Sequence, residues 1–262
     1  MTPGKSYLSI FTGIAAVICL HACKKDNYAP PSVKFTGRLD YQGTPIGVKN
    51  NKGNSVNNPN GIPAVYFELW QPGFGKSGAI DVVVDQDGSF SSLLYNGTYK
   101  LVIPSSQGPW MSVKNEQTNS DTIPLVLNGN QTMDIEVMPY YIIGNTSFKL
   151  GADSVVTATC SVSQIIKDAN AKSIDNVTLY VNRTSFVDDD NNITSASIKG
   201  SDITDLSNLK FNVKVSPVIK DNTNVNNNIG VADQNYFYAR IGLKISGVED
   251  MLFSDVQKIE LP

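Results

Sequence analysis

Val65-Tyr66-Phe67-Glu68-Leu69-Trp70 alternates a purely apolar residue with a mixed one at every second position. A pleated strand sends successive side chains to opposite faces. Val65, Phe67 and Leu69 therefore share one side, and Tyr66, Glu68 and Trp70 the other. The first side reads as core and the second as a wet face. Working outward, Val33 to Leu39 (VKFTGRL) alternates too, as do Tyr99, Leu101 and Ile103, and again Met133, Ile135 and Val137. Turn signals separate them: Asp85-Gln86-Asp87-Gly88, Tyr95-Asn96-Gly97 and Asn128-Gly129. Asp-Gly and Asn-Gly pairs supply the positive φ angles of tight hairpins. No stretch keeps the period of an amphipathic helix over several turns. The expectation for residues 33–138 is an antiparallel β-sandwich.

Met138-Pro139 interrupts the pattern, because proline cannot donate to a sheet ladder and suits a strand end or a junction. Beyond it, Val156, Ala158, Cys160 and Val162 share one face of a strand whose other face is Thr157, Thr159 and Ser161. Cys160 thus reads as a small buried hydrophobe rather than a reactive thiol. Val177 to Val181, Leu209 to Val215 and Phe237 to Ile245 continue the theme. Short strands at this spacing predict a second sandwich over 139–262, of immunoglobulin or fibronectin type III kind. The fold class is all-β, two antiparallel β-sandwich domains in series.

The N-terminus carries one positive charge, Lys5, and an apolar run from Tyr7 to Leu20. That run is shorter than the ~20 residues a helix needs to cross a bilayer core. It fits a secretory signal peptide over 1–22. Leu20-His21-Ala22-Cys23 resembles the lipobox of bacterial lipoproteins, with His21 an untidy fit. The resemblance implies cleavage before Cys23, a diacylglycerol on its thiol, and a tether over 23–32. Two or more acyl chains hold a protein firmly to a bilayer.

Processing removes the sole histidine, His21, and with it every His-based triad, zinc site and general base. Of three cysteines, Cys19 is removed and Cys23 acylated, which leaves Cys160 without a disulfide partner. Loss of Lys5 leaves 20 of the 21 basic side chains against 24 acidic ones. A nucleic-acid partner would call for a basic patch, and none is seen.

GRLDYQGTPI (37–46), DQDGSF (85–90) and GTYKLVI (97–103) resemble the carboxypeptidase regulatory-like, prealbumin-type module, which is non-catalytic in the proteins that carry it. The whole mature chain is similar to a family of two-domain Bacteroidetes lipoproteins of unknown function. That likeness rests on KKDNYAPP (24–31), QGPW (107–110), NSDTIP (119–124), VMPYY (137–141), LYVNRTSFVDD (179–189) and YARIGLKISGVEDMLFSDVQKI (238–259). The resemblance implies an outer-membrane lipoprotein associated with glycan-uptake systems of the starch-utilisation type. Its implied partners are an outer-membrane transporter and a substrate-capture lipoprotein. The same likeness reads Lys24-Lys25-Asp26 as a surface-export signal, where a plain reading is a solvated tether.

Few residues suggest chemistry. Asp188, Asp190 and Asn192 occupy the first three positions of a calcium-loop pattern, but Ile193 stands where glycine is required and Lys199 where the bidentate glutamate belongs. A solvated turn is the reading preferred for this cluster and for Asp85 to Ser89. Five glutamates follow the signal peptide, and most aspartates sit beside turn-forming residues. The expectation is therefore no catalytic residue, no metal and no cofactor, with hydrolysis by paired carboxylates the poorly supported alternative. The aromatic residues are the better lead. Tyr66, Glu68 and Trp70 lie on one wet face, Phe74 follows in the next loop, and Trp110 stands in the loop Gln107 to Met111. Flat aromatics that stack on sugar rings beside a carboxylate are the composition of a glycan site. The competing readings are that Tyr66 and Trp70 face the second domain, or lie under the loop Lys49 to Gly61. A chain with either arrangement would be an assembly module that holds protein partners. Loops 49–61 and 220–230 are asparagine-rich and predicted to be mobile.

Overall fold

Three phenylalanines close the alternation into a first core. Phe35, Phe67 and Phe90 meet edge-on or tilted, with ring centroids 4.8 to 6.5 Å apart, the offset arrangements that aromatic quadrupoles favour. The computed structural model describes residues 29–49, 65–72, 78–104, 107–111, 114, 118–215 and 235–260.

The first sandwich contains β1 (Val33–Tyr41), β2 (Thr44–Pro45), β3 (Tyr66–Trp70), β4 (Ala79–Val83), β5 (Ser89–Leu94) and β6 (Gly97–Val102). It is completed by β7 (Trp110–Met111), β8 (Thr122–Leu127), β9 (Gln131–Thr132), β10 (Ile135–Glu136) and β11 (Met138–Pro139). One sheet has the order β4-β3-β6-β8, and β1 is the spine of the other. Along β1, Val33 pairs with Leu94 and Arg38 with Ser89 of antiparallel β5. Gly88, at φ +80°, closes the turn that leads into β5, a backbone setting in which only glycine is unstrained.

The antiparallel sandwich expected over 33–138 is present, with one parallel return added to it. β1 runs parallel to β9, with Phe35 opposite Gln131, and parallel to β10, with Leu39 opposite Ile135. After β8 the chain returns along β1 as an extended segment, and side chains fill the gaps in the ladder. Asn130 Oδ1 accepts the Lys34 N–H at 2.9 Å, and Asp134 Oδ1 accepts the Arg38 N–H at 3.0 Å.

The second sandwich contains β12 (Tyr141–Leu150), β13 (Val155–Gln164), β14 (Ile174–Asn182), β15 (Thr194–Lys199), β16 (Leu209–Lys214), β17 (Tyr236–Ile245), β18 (Leu252–Phe253) and β19 (Gln257–Glu260). One sheet is β12-β13-β16; the other is β15-β14-β17, with β18 and β19 both paired to β17. Val156, Ala158, Cys160 and Val162 all point into the core. Burial pushes the Cys160 thiol up to about 11, so it carries no thiolate at neutral pH. β17 breaks the alternation, since every residue from Ala239 to Leu243 is buried. A second small core of Tyr180, Val187, Met251 and Phe253 roofs its outer face.

Residues Val33–Pro262 form one compact unit; Met1–Ser32 is another, of which only residues 29–32 are described. Within the larger unit one hydrophobic core extends from Val33 through Trp110 and Tyr140 to Ile259. Polar groups stitch the same junction. Gly47 forms a bridge with Phe253, and a side chain at 47 would collide with the Phe253 carbonyl. Arg240 donates from Nη2 to the Gln86 carbonyl and from Nε to the Ser254 carbonyl, both at 2.6 Å. Lys49 Nζ lies 3.1 Å from Asp189 and 2.5 Å from Asp190. Lys49 is thus buried, and the expectation that it opens a mobile loop fails. Residues 50–61 and 220–230 lie outside the described residues.

Asp250 is buried at this junction and its Oδ2 has no hydrogen-bond partner among the described residues. Its nearest cation by influence, Lys49, is already committed to Asp189 and Asp190. Burial is the main cause that pushes its carboxyl from 3.8 up to about 7, with Glu249 adding to the rise and Lys49 and Lys244 opposing it. A folded pKa above the unfolded one means the folded chain holds the extra proton. Stability is then greatest below about pH 4 as far as this group is concerned, and falls as pH rises through about 7. Asp250→Asn removes that slope. Urea denaturation should find the variant at least about 1 kcal/mol more stable than the parent at pH 8, with the difference shrinking toward pH 5.

Candidate functional site

β3 runs from the junction to a free end, and its two ends differ accordingly. At the junction end, the Tyr66 N–H donates to Gln107 Oε1 at 3.3 Å, while the Gln107 carbonyl accepts the Asp250 N–H at 3.0 Å. The Tyr66 phenol is half-buried. Burial pushes its pKa up, and Asp81, Glu68 and then Glu249 of the second sandwich add to the rise. Tyr66 therefore borders the second sandwich, as one of the competing readings expected. Trp70 sits at the other end and is 37% exposed.

The wet face of β4-β3-β6-β8 is laid out by register. Trp70 stands between Ala79 of β4 and Lys100 of β6, and Lys100 faces Pro124 of β8. One row along, Glu68 stands between Asp81 and Val102. Glu68 Oε2 accepts the Trp70 indole N–H at 2.8 Å, a charge-assisted bond that fixes the plane of the ring. Burial, and then the facing Glu68, push the Asp81 carboxyl up. Beside the indole lies an open groove of about 390 Å³ lined by Trp70, Gln71, Pro72, Lys100 and Val102. Its walls are mostly carbon, with one amide and one ammonium group, the mixture a sugar-sized ligand needs.

The sequence matches two family profiles in tandem. Residues 33–138 match the N-terminal domain of a protein family of unknown function, DUF3823, and residues 141–258 match its C-terminal domain, DUF3823_C. The chain belongs to the DUF3823 family. A crystal structure of a DUF3823 protein from Bacteroides ovatus is 25% identical with a TM-score of 0.68, and one from Parabacteroides merdae is 26% identical with a TM-score of 0.67. Each comparison covers 88% of this chain and 100% of the other. A Bacteroides uniformis structure, named as a candidate carbohydrate-binding protein, shares the fold at 17% identity and a TM-score of 0.59, with the same coverage. No curated protein matches the chain.

In this DUF3823 protein the expected aromatic set divides. Tyr66, Glu68 and Trp70 lie together on one face, while Phe74 and Cys23, the residue expected to carry lipid, lie outside the described residues. Trp110 requires correction. It is 1% exposed and cannot offer a face to a ligand. The segment Gln107 to Met111 is a seam, not a display loop. Trp110 pairs with Pro139 between β7 and β11, the Pro109 carbonyl accepts the Tyr140 N–H, and the indole lies against Gly108. Glycine and proline made this stretch look like a loop, whereas Gly108 leaves room for the Trp110 indole and the Pro109 carbonyl accepts from Tyr140 at the junction. Lys100, Gln71, Pro72 and Val102 were not singled out from sequence, although Lys100 lies opposite Tyr99 and Leu101 in their alternation. What was missing was the pairing of β6 with β3.

Asp188 also differs from the solvated turn that was expected. It is fully buried, and its Oδ1 accepts the N–H groups of Asp190 and Asn191 and the Asn191 side-chain amide at 2.7 to 3.0 Å. Asp189 and Asp190 hold Lys49. The cluster is a buried loop cap joined to an interdomain ion pair. A second recess of about 470 Å³ lies by Tyr141, Ser173 and Ser201. Its one aromatic is buried, and the Tyr141 hydroxyl donates to the Lys172 carbonyl at 2.6 Å, so it offers no stacking face.

The two tryptophans should separate cleanly in solution. With Trp70→Phe, the remaining emission comes from Trp110 and resists acrylamide; with Trp110→Phe, the remaining Trp70 is quenched several-fold more steeply. Equal quenching of the two variants would contradict the placement of both residues.

Proposed function

We propose that this is a lipid-anchored outer-membrane protein of a glycan-uptake system, and that its first sandwich binds carbohydrate without catalysis. Acyl chains on Cys23 hold it to the bilayer, and it works beside an outer-membrane transporter and a substrate-capture lipoprotein. The observation that carries the binding role is Trp70: an exposed indole, oriented by Glu68, on the wall of an open groove. Sugar rings present C–H faces to such a surface, while Gln71 and Lys100 supply partners for hydroxyl groups. The fold shared with a candidate carbohydrate-binding protein of Bacteroides uniformis supports this reading. Membership of the DUF3823 family names no catalytic activity.

A second reading has its own support. Val126 is 54% exposed and Val83 37% exposed on the same sheet, whose edge strands among the described residues are β4 and β8. Apolar side chains and open ladder edges suit a protein partner.

A panel of polysaccharides in affinity gels, run with protein beginning at Lys24, tests the first reading. At least one polymer should retard the parent. Trp70→Ala should weaken that binding about tenfold or more, since stacking of a planar side chain contributes on the order of 1–3 kcal/mol. Retardation by none of the polymers would shift the assignment to protein docking. The anchor is tested separately: Cys23→Ser should move the protein from the membrane fraction to the soluble one, and unchanged fractionation would remove lipidation from the proposal.

A further inference from the structure

We propose that the groove beside Trp70 takes an anionic sugar, whose carboxylate or sulfate is met by Lys100. The inference rests on the carbohydrate reading above and specifies the class of ligand. Lys100 and Trp70 are direct cross-strand partners on β6 and β3, so their Cβ atoms stand ~5 Å apart on the same face. A ring stacked on the indole therefore places its exocyclic substituents over the neighbouring strand, within reach of the flexible four-carbon stem of lysine.

Among the described residues Lys100 makes no ion pair, hydrogen bond or ring contact. That is unusual company for a lysine with an acidic residue two positions along the adjacent strand. Glu68 would be its natural partner, yet the carboxylate of Glu68 is turned to the Trp70 N–H instead. The flanks of Lys100 are apolar: Trp70 on one side, Pro124 on the other, with Val102 next along its own strand. A cation beside carbon surfaces, on the wall of a groove, attracts an anion more strongly than one in open solvent.

The charges on this face are also sorted. The carboxylates Glu68 and Asp81 face each other on β3 and β4, whereas Lys100 lies on the β6 side of Trp70. Neither carboxylate lines the groove. Repulsion from the Glu68 and Asp81 side and attraction from Lys100 act in the same direction on an acidic substituent. They give a bound uronate or sulfated ring one preferred orientation on the indole, which a neutral ring would not have.

Polygalacturonate, its carboxyl-reduced neutral counterpart and a sulfated galactan supply the three arms of the test, with the chain from Lys24 onward. The parent should bind the anionic polymers more tightly than the neutral one, and less tightly as salt rises. Lys100→Met should lose about tenfold or more toward the anionic polymers, the scale of one hydrogen bond to a charged group. It should bind the neutral polymer as the parent does, and Lys100→Arg should keep most of the anionic binding. Lys100 is exposed, so its variants should match the parent in thermal unfolding. Preference for polygalacturonate alone would assign a uronate, and preference for the galactan alone a sulfate ester. Failure of both anionic polymers to bind more tightly than the neutral one, or no effect of Lys100→Met on anionic binding, overturns the inference and leaves the Trp70 carbohydrate reading standing. Failure of all three polymers and of the wider panel to bind overturns both.

Discussion

The two sandwiches exchange buried cations across their junction. Lys49 extends from the first sandwich to Asp189 and Asp190 of the second, and Arg240 extends from the second to the Gln86 carbonyl of the first. Taking a guanidinium out of water costs several kcal/mol, and burial pulls Arg240 down to about 9 even against the opposing carboxylates of Asp188, Asp255 and Asp87. Such a group stays charged only where its partners are fixed. The Gln86 and Ser254 carbonyls, the Phe253 ring 4.4 Å below the guanidinium and the close approach of Gly47 to Phe253 provide that fixity. Exchange of charge in both directions sets a geometry more than it adds stability, because buried pairs often contribute little net free energy. An apolar seam could slide, whereas these groups have partners in one register only.

The orientation of β3 follows from that seam. Its first residue is tied through Gln107 to Asp250 and thus to the second sandwich, so its last residue, Trp70, stands at the far end of the strand. A site on a strand anchored in this way is held more exactly than one on a loop. Glu68 carries the restraint one step further by holding the indole itself.

Local chemistry was legible in the sequence and long-range pairing was not. The Val65, Phe67, Leu69 alternation placed those side chains in the core and left Trp70 outside, because pleat geometry needs no knowledge of partners. The same rule placed Cys160 correctly. It failed at β17, where Arg240 reads as a wet-face residue until β18 covers it, and at Trp110, whose loop-like neighbours conceal a strand pairing with Pro139. Lys49 failed for the same reason, since its partners lie 140 and 141 positions away. The parallel return of β9 and β10 along β1 likewise depends on side-chain acceptors that no turn motif announces.

The same geometry bears on the two facing carboxylates of this sheet. Glu68 and Asp81 are directly opposed, a separation of ~5 Å between Cβ atoms, and glycosidases that retain configuration use carboxyl groups about 5 Å apart. Proximity is not sufficient. One partner must be a raised acid and the other a free nucleophile, on either side of a bound glycosidic linkage. Asp81 is displaced upward, as an acid would be, but Glu68 is engaged by the indole N–H. More decisively, neither carboxylate contributes to the lining of the groove. That lining is Lys100, Gln71 and carbon surface from Trp70, Pro72 and Val102. Glu68 is better understood as the group that fixes the plane of the indole.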